Sequence, residues 1–317
     1  GNIGWQAVGI APRRPNWSGL VPVPGDGTFE WNGYLKISQL PHVLNPKNGR
    51  IITANNHVTT IDYPHTDALG YTWIDPFRGD RLAELLGGPG KLTMADLMAA
   101  QTDYRSIPAQ RLVPMLVNLE TEDEWVESAR KRLLNWDCNL TTESVTASIY
   151  VEWERRIRKA LLSLVEIPNG SFSFNLQLRT VIEWLRFPDG RFGPNPVTGR
   201  DEFLLRVLSD TVEHLKTKLG PNPDDWRYGQ EQNKHVAMRH AFAGAFPNEL
   251  AEKTQVGPLP RGGNGYTVNN TGNLDNQSSG ATFRILMDLE DWDFTLAINS
   301  PGQSGDSRSK HYQDLFP

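Results

Sequence analysis

The sequence is poor in the residues that build disulfide frameworks, thiolate metal sites and nucleic-acid surfaces. Its 317 residues contain one cysteine, Cys138, which excludes an internal disulfide and a zinc cluster built from thiolates. No basic cluster is longer than the RKR at 130–132, and the formal net charge is −5, so nucleic acid is not expected as a partner. No stretch approaches the ~20 apolar residues of a membrane span. These absences favour a soluble globular protein.

Motifs for several common kinds of catalysis are missing as well. The seven histidines include no HExxH pair and no triplet at metal-ligand spacing, which argues against a zinc site. GxSxG, P-loop and GxGxxG patterns do not occur, and the glycine-rich segment at 262–272 predicts a turn before a strand. Tryptophans and carboxylates are frequent enough for a sugar-cleaving site, but no spacing identifies the facing carboxylate pair that such a site needs.

Three sections of different periodicity follow one another along the chain. Residues 1–90 are rich in Pro, Gly and aromatic residues, which predicts short strands and long ordered loops. Residues 91–255 are mainly helical by pattern, and strand patterns return at 256–317. Strands, inserted helices and strands again predict one incomplete α+β domain over 1–317 with a helical lobe.

The boundaries of several helices and strands can be predicted from local signals. Capping boxes are predicted at 93–96 and 121–124, where Thr precedes an acidic residue at the right spacing. Apolar residues at helical spacing predict helices at 142–166 and 201–219, the second closed by Gly220. Alternating or apolar runs predict strands that lie in the core sheets of one domain, at 3–10, 50–55, 281–288 and 294–299.

The two ends of the sequence carry a further prediction. The chain opens on GNIGWQAVGIAPRR, already in strand register, without an initial methionine or a signal segment. It stops at KHYQDLFP, which resembles the start of an anchoring element. We therefore predict that these residues belong to a longer polypeptide.

Two adjacent asparagines, Asn55 and Asn56, follow the apolar pair at 51–52. Asparagine is unfavourable in strands and helices, so the pair predicts either a turn or a placed functional group. An amide held rigidly after a strand can donate a hydrogen bond to an oxygen that becomes negative during a reaction. Both interpretations stay open on the residues alone.

A series of segments, taken in order, resembles the penicillin amidases, which are N-terminal nucleophile hydrolases that include penicillin, cephalosporin and acyl-homoserine lactone acylases. Besides the opening segment, they are LVPVPG with WNGYL, LNPKNGRIITANN, YPHTD, GDRLAELL, LTMADLMAAQTD, LLNWD, DDWRYGQ with MRHAF, GGNGYTVNN, SSGATFRILMDLED and NSPGQSGDSRSKHYQD. The resemblance implies part of an αββα sandwich with an inserted helical lobe. It also implies two missing partners from the same precursor, the N-terminal part of the β chain and the whole α chain.

The resemblance assigns roles to two side chains of the reaction site. Asn55 matches the asparagine whose amide donates to the tetrahedral oxyanion, the second donor being a backbone N–H outside this chain. Arg81 matches an arginine near the nucleophile that orders the asparagine and the acyl oxygen of the substrate. The alternative for Arg81 is an arginine at a helix start, paired with Asp80 or Glu84.

A calcium site is also implied by the resemblance. Asp67 in YPHTD matches a carboxylate that ligates calcium between the chains of several relatives, and the carbonyl of Gly19, which replaces a proline, matches a further ligand. Calcium takes about six to eight oxygens, of which this chain would supply these two. The alternative for Asp67 is a residue that caps a turn.

The family's nucleophile is the serine that begins the β chain, with its own α-amino group as the base. Gly1 cannot take this part, since the mechanism needs a hydroxyl and a free amine on one residue. The resemblance thus implies that the parent enzyme hydrolyses a small amide substrate, that it is periplasmic or otherwise extracytoplasmic, and that the isolated chain is inactive. The alternative is a noncatalytic binding or scaffold module that uses its tryptophan-rich loops.

Overall fold

The computed structural model describes residues 1–165, 176–277 and 279–316. The chain divides into two compact units, Gly1–Pro89 and Gly90–Pro317. The mixture of helices and strands agrees with the predicted α+β class. The interpretation of 1–317 as one incomplete domain stays a prediction.

The first unit consists mainly of ordered loops, as its content of Pro and Gly predicts. Strand β1 (Gly4–Gln6) pairs antiparallel with β2 (His42–Leu44), and Trp5 lies opposite Val43. Two helices follow, α1 (Thr66–Leu69) and α2 (Phe77–Leu86). A small apolar cluster contains Ala11, Leu35, Leu40 and Ala68.

The strand predicted at 50–55 is wrong. All six residues are described and none lies in a strand. The backbone N–H of Ala54 donates to the side-chain oxygen of Asn56 at 3.0 Å, and Asn55 has a φ of 61°, so the backbone turns where a ladder would need an extended chain. The apolar pair before the asparagines therefore leads into a turn.

The second unit contains the predicted helical lobe. Its helices are α3 (Met94–Gln101), α4 (Ile107–Leu112), α5 (Glu124–Leu134), α6 (Val145–Leu162), α7 (Leu178–Arg186), α8 (Pro196–Leu219) and α9 (Asn248–Lys253). The core forms along α6, where fully buried side chains recur at every fourth position, at Ile149, Trp153, Ile157 and Leu161. The indole N–H of Trp153 donates to the carbonyl of Leu204 on α8 at 3.3 Å.

The caps of these helices test the local predictions. The capping box of Thr93 and Asp96 at the start of α3 is confirmed, and so is Gly220 as the C-cap of α8, with a φ of 101°. The capping box predicted at 121–124 is wrong, because the N-cap of α5 is Asp123, whose carboxylate accepts from two backbone N–H groups. An aspartate directly before the helix competes for the same donors as a threonine two residues earlier.

The strands of the second unit form two further antiparallel pairs. Strand β3 (His235–Met238) pairs with β4 (Val256–Pro260), and β5 (Phe283–Leu286) pairs with β6 (Leu296–Asn299). The returning strands predicted near the C-terminal end are thus confirmed in shortened form. In the described part of the chain the strands form separate two-stranded sheets, so no sheet joins strands from both ends.

Candidate active site

Asn55 is an exposed residue whose backbone has left-handed geometry, with a φ of 61°. Asparagine tolerates this region better than other residues with a Cβ. The guanidinium of Arg78 donates from Nη2 to the side-chain oxygen of Asn55 at 2.9 Å. The Nδ2 group of Asn55 makes no hydrogen bond to any residue that the structure describes. The oxygen is therefore fixed while both amide hydrogens stay available to donate.

Asn56 has a different environment. Its side-chain oxygen accepts from the N–H of Ala54 at 3.0 Å, and its Nδ2 donates to the carbonyl of His57 at 3.0 Å. A Cβ at position 79 would lie 3.0 Å from the oxygen of Asn56, so Gly79 permits the close approach of α2 to this turn. Asn56 thus holds the turn, and Asn55 is the one that presents its amide.

Helix α2 carries two arginines, Arg78 and Arg81, and Arg78 makes the contact with Asn55 that the sequence predicted for Arg81. Arg81 pairs with Glu84, with 2.9 Å between Nη1 and Oε2, and its side chain is 12% exposed. This is the pairing given above as the alternative for Arg81. Arg78, one helical turn earlier, is the arginine bound to Asn55, and burial lowers the pKa of its guanidinium without removing the charge. The role of Arg81 near a nucleophile stays a prediction.

The contact of Arg78 with Asn55 was missed by the sequence analysis. Residues three apart share one face of a helix, so Arg78 and Arg81 are equivalent candidates by spacing. Phe77, which is fully buried, anchors the first turn of α2 and places Arg78 beside the asparagine loop. Only the path of that loop decides which arginine meets the amide.

The predicted calcium ligands both lie beside Arg14. Arg14 donates from Nη1 to the backbone carbonyls of Asp67 at 3.2 Å and Ala68 at 3.4 Å. Gly19 lies against the same side chain, since a Cβ there would be 2.9 Å from Nε of Arg14. In residues 1–165, 176–277 and 279–316, no group of three or more His, Cys, Asp or Glu side chains could hold a metal ion. Calcium at this place stays a prediction.

A helix that spans a bilayer needs about 20 mainly apolar residues. Among the described residues, none of the helices has both the length and the apolar character needed to cross a membrane.

Comparisons with known proteins give one family. The family model described as Penicillin amidase matches residues 1–317. Penicillin acylase 2 proenzyme from Pseudomonas sp. (strain SE83) is 28% identical over 331 residues, which cover 99% of this chain and 41% of the relative. Acyl-homoserine lactone acylase QuiP from Pseudomonas aeruginosa is 25% identical over 357 residues, with 99% and 41% coverage. The chain thus spans 41% of the length of these two relatives.

A solved structure supports the same assignment at the level of the fold. Thermostable penicillin G acylase from Alcaligenes faecalis matches with a TM-score of 0.66 and 21% identity, over 100% of this chain and 60% of that one. A family model that matches every residue and a shared fold lead to one conclusion. The chain belongs to the penicillin amidase family.

Proposed function

We propose that this chain is part of an acylase that hydrolyses an amide bond by acyl transfer to an N-terminal serine. The proposal is supported by the family match over the whole chain and by relatives that are more than twice as long. In the complete protein, the remaining β-chain residues and the α chain would supply the nucleophile and complete the αββα sandwich. The complete enzyme would act on a small amide in a periplasmic or otherwise extracytoplasmic compartment.

One observation carries the proposed role of this chain: Asn55 presents an amide that is fixed at its oxygen and available at its nitrogen. A charged donor on the carbonyl oxygen polarises an amide, so the bond from Arg78 makes Nδ2 of Asn55 a stronger donor. When a carbonyl carbon is attacked, its oxygen becomes negative, and a donor already in position stabilises it without reorganisation. Loss of one such donor costs ~2.7 to 4 kcal/mol.

In this proposal the nucleophile comes from outside these residues, since Gly1 has no hydroxyl and would not serve as the N-terminal serine. Asn55 can stabilise an oxyanion only after another group has attacked the carbonyl. We therefore expect no turnover of penicillin-type or acyl-homoserine lactone substrates by the 317-residue chain alone. Amide hydrolysis measured with the purified chain would contradict the proposal that the nucleophile comes from another part of the protein.

The experiment replaces Asn55 with glycine in the complete protein. Glycine accepts a φ of 61° without strain, so Asn55→Gly removes the amide and leaves the turn. We expect kcat to fall ~100- to 1,000-fold with a smaller change in KM, because the bond forms mainly in the transition state.

Asn45→Gly is the matched control. Asn45 is an exposed asparagine of the same unit with a φ of 46°, and its side chain bonds Asn2 and Ile3, next to the N-terminal strand. The kcat of the Asn45→Gly enzyme should stay within about twofold of that of the unchanged enzyme. An Asn55→Gly enzyme with undiminished kcat would show that the asparagine pair is only a turn. A complete protein without any amidase activity would favour the noncatalytic module.

A further inference from the structure

Arg14 is a half-buried cation that contacts two segments of the first unit. Its Nη1 donates to the carbonyls of Asp67 and Ala68 in α1 at 3.2 and 3.4 Å. Its guanidinium lies over the ring of Trp17, with 5.6 Å between Cζ and the ring centroid. On the remaining side it meets Gly19. Carbonyls, an aromatic face and a backbone segment thus contact this one half-buried positive charge.

Gly19 and Arg14 depend on each other. A Cβ at position 19 would lie 2.9 Å from Nε, 3.1 Å from Cδ and 3.3 Å from Cζ of Arg14. The φ of Gly19 is 75°. The proline expected here from relatives cannot adopt this angle, because its ring fixes φ near −65°. Nε of Arg14 is buried at this contact and has no acceptor in the described part of the chain. The side chain of Arg14 therefore fills the space next to the Cα of Gly19.

We propose that the guanidinium of Arg14 is the resident cation of this segment and takes the place of the calcium ion predicted at Asp67 and Gly19. The guanidinium donates to the backbone carbonyls of Asp67 and Ala68, next to the carboxylate predicted to bind calcium. An ion bound to the carboxylate of Asp67 would also lie near a fixed positive charge, which opposes binding of a second cation. Calcium needs about six to eight oxygens, of which this segment was expected to supply two.

The first test measures calcium dependence of the complete protein by its Tm, in EGTA and in excess CaCl2. We expect the same Tm in both, or a calcium effect that Asp67→Asn leaves unchanged because the ion binds elsewhere. A saturable rise in Tm with calcium that Asp67→Asn abolishes would overturn the proposal. The readout is stability rather than activity, so it does not depend on the proposed acylase function.

The second test removes the charge. Arg14→Met should lower Tm by at least ~2 °C in EGTA and in calcium alike, since carbonyls of α1 lose their donor. Arg13→Met is the matched control, because Arg13 is the exposed neighbour with one long hydrogen bond to Gln39 at 3.4 Å. Equal Tm values for the two variants would overturn the proposal. If Arg14→Met does not fold, the calcium measurement on the unchanged protein still decides.

A third comparison isolates the contact with Gly19. Gly19→Ala and Gly33→Ala both place alanine at a strained φ, 75° and 72°, but the added Cβ meets Arg14 only at position 19. We expect Gly19→Ala to lower Tm more than Gly33→Ala, and the excess to disappear when Arg14 is already methionine. An excess that persists without Arg14 would show that the contact is not the cause.

Discussion

Lys234 is a fully buried lysine in the second unit, and replacing it tests how the glycine-rich segment at 262–272 is held. Its ammonium donates to the carbonyls of Thr271, Gly272 and Leu274 at 2.8, 2.9 and 2.6 Å. An ammonium has three donors, and these three acceptors take all of them. The three hydrogen bonds of the lysine therefore fix the end of this loop.

The loss of stability expected for Lys234→Met depends on which carbonyl acceptors lose their hydrogen-bond donor. The carbonyls of Thr271 and Gly272 are buried, and a buried acceptor without a partner costs ~1 to 3 kcal/mol. Leu274 is exposed, so its carbonyl can turn to water. The substitution also removes a buried charge, which returns part of this cost, since burial lowers the pKa of Lys234 to about 7. We expect a net loss of ~2 to 3 kcal/mol in the free energy of unfolding.

Urea unfolding and amide hydrogen exchange of the complete protein measure the effect. Protection of amides in 262–277 should fall in Lys234→Met, whereas the exposed Lys310→Met should behave like the unchanged protein. Because burial lowers the pKa of Lys234 from its ordinary 10.5 to about 7, the unfolded state binds more protons between pH 7 and 10.5, so this residue makes stability rise with pH there. An unfolding midpoint and exchange pattern equal to those of Lys310→Met would refute the reasoning.

Two further predictions concern arginine side chains and their partners. In the complete enzyme, Arg78→Met should lower kcat by at least about tenfold, because Asn55 loses the hydrogen bond that orients it. Arg81→Met should lower kcat less. A larger effect of Arg81→Met in steady-state kinetics would favour the family's assignment over the observed contact. The hydrogen bonds from Arg130 lower the pKa of Glu127 to about 2, so the stability from this pair is present above pH 4.5 and is lost as pH falls toward 2. In urea unfolding between pH 2 and 5, the free energy of unfolding should depend less steeply on pH for Arg130→Met. An unchanged slope would contradict the pairing.

Local interactions explain what could be predicted from the sequence. The start of α3 at Thr93 and the apolar stripe of α6 were found because caps and i, i+4 contacts are made by residues close in sequence. The strand at 50–55 was predicted wrongly, since a strand exists only with a partner that sequence periodicity does not specify. The same limit applies to the short β1, whose pairing with residues 42–44 is not encoded locally.

The sequence by itself determined the family, the helical lobe and the choice of Asn55 as a candidate functional residue, because each depends on residue identity and order along the chain. Only the tertiary structure decided that Arg78 rather than Arg81 meets Asn55, and that Arg14 lies beside both Asp67 and Gly19. Arg78 and Arg81 have the same charge and the same helix face, and Arg14 is far from Asp67 in sequence. Long side chains reach whichever loop comes near, and the path of a loop is set by packing between distant segments.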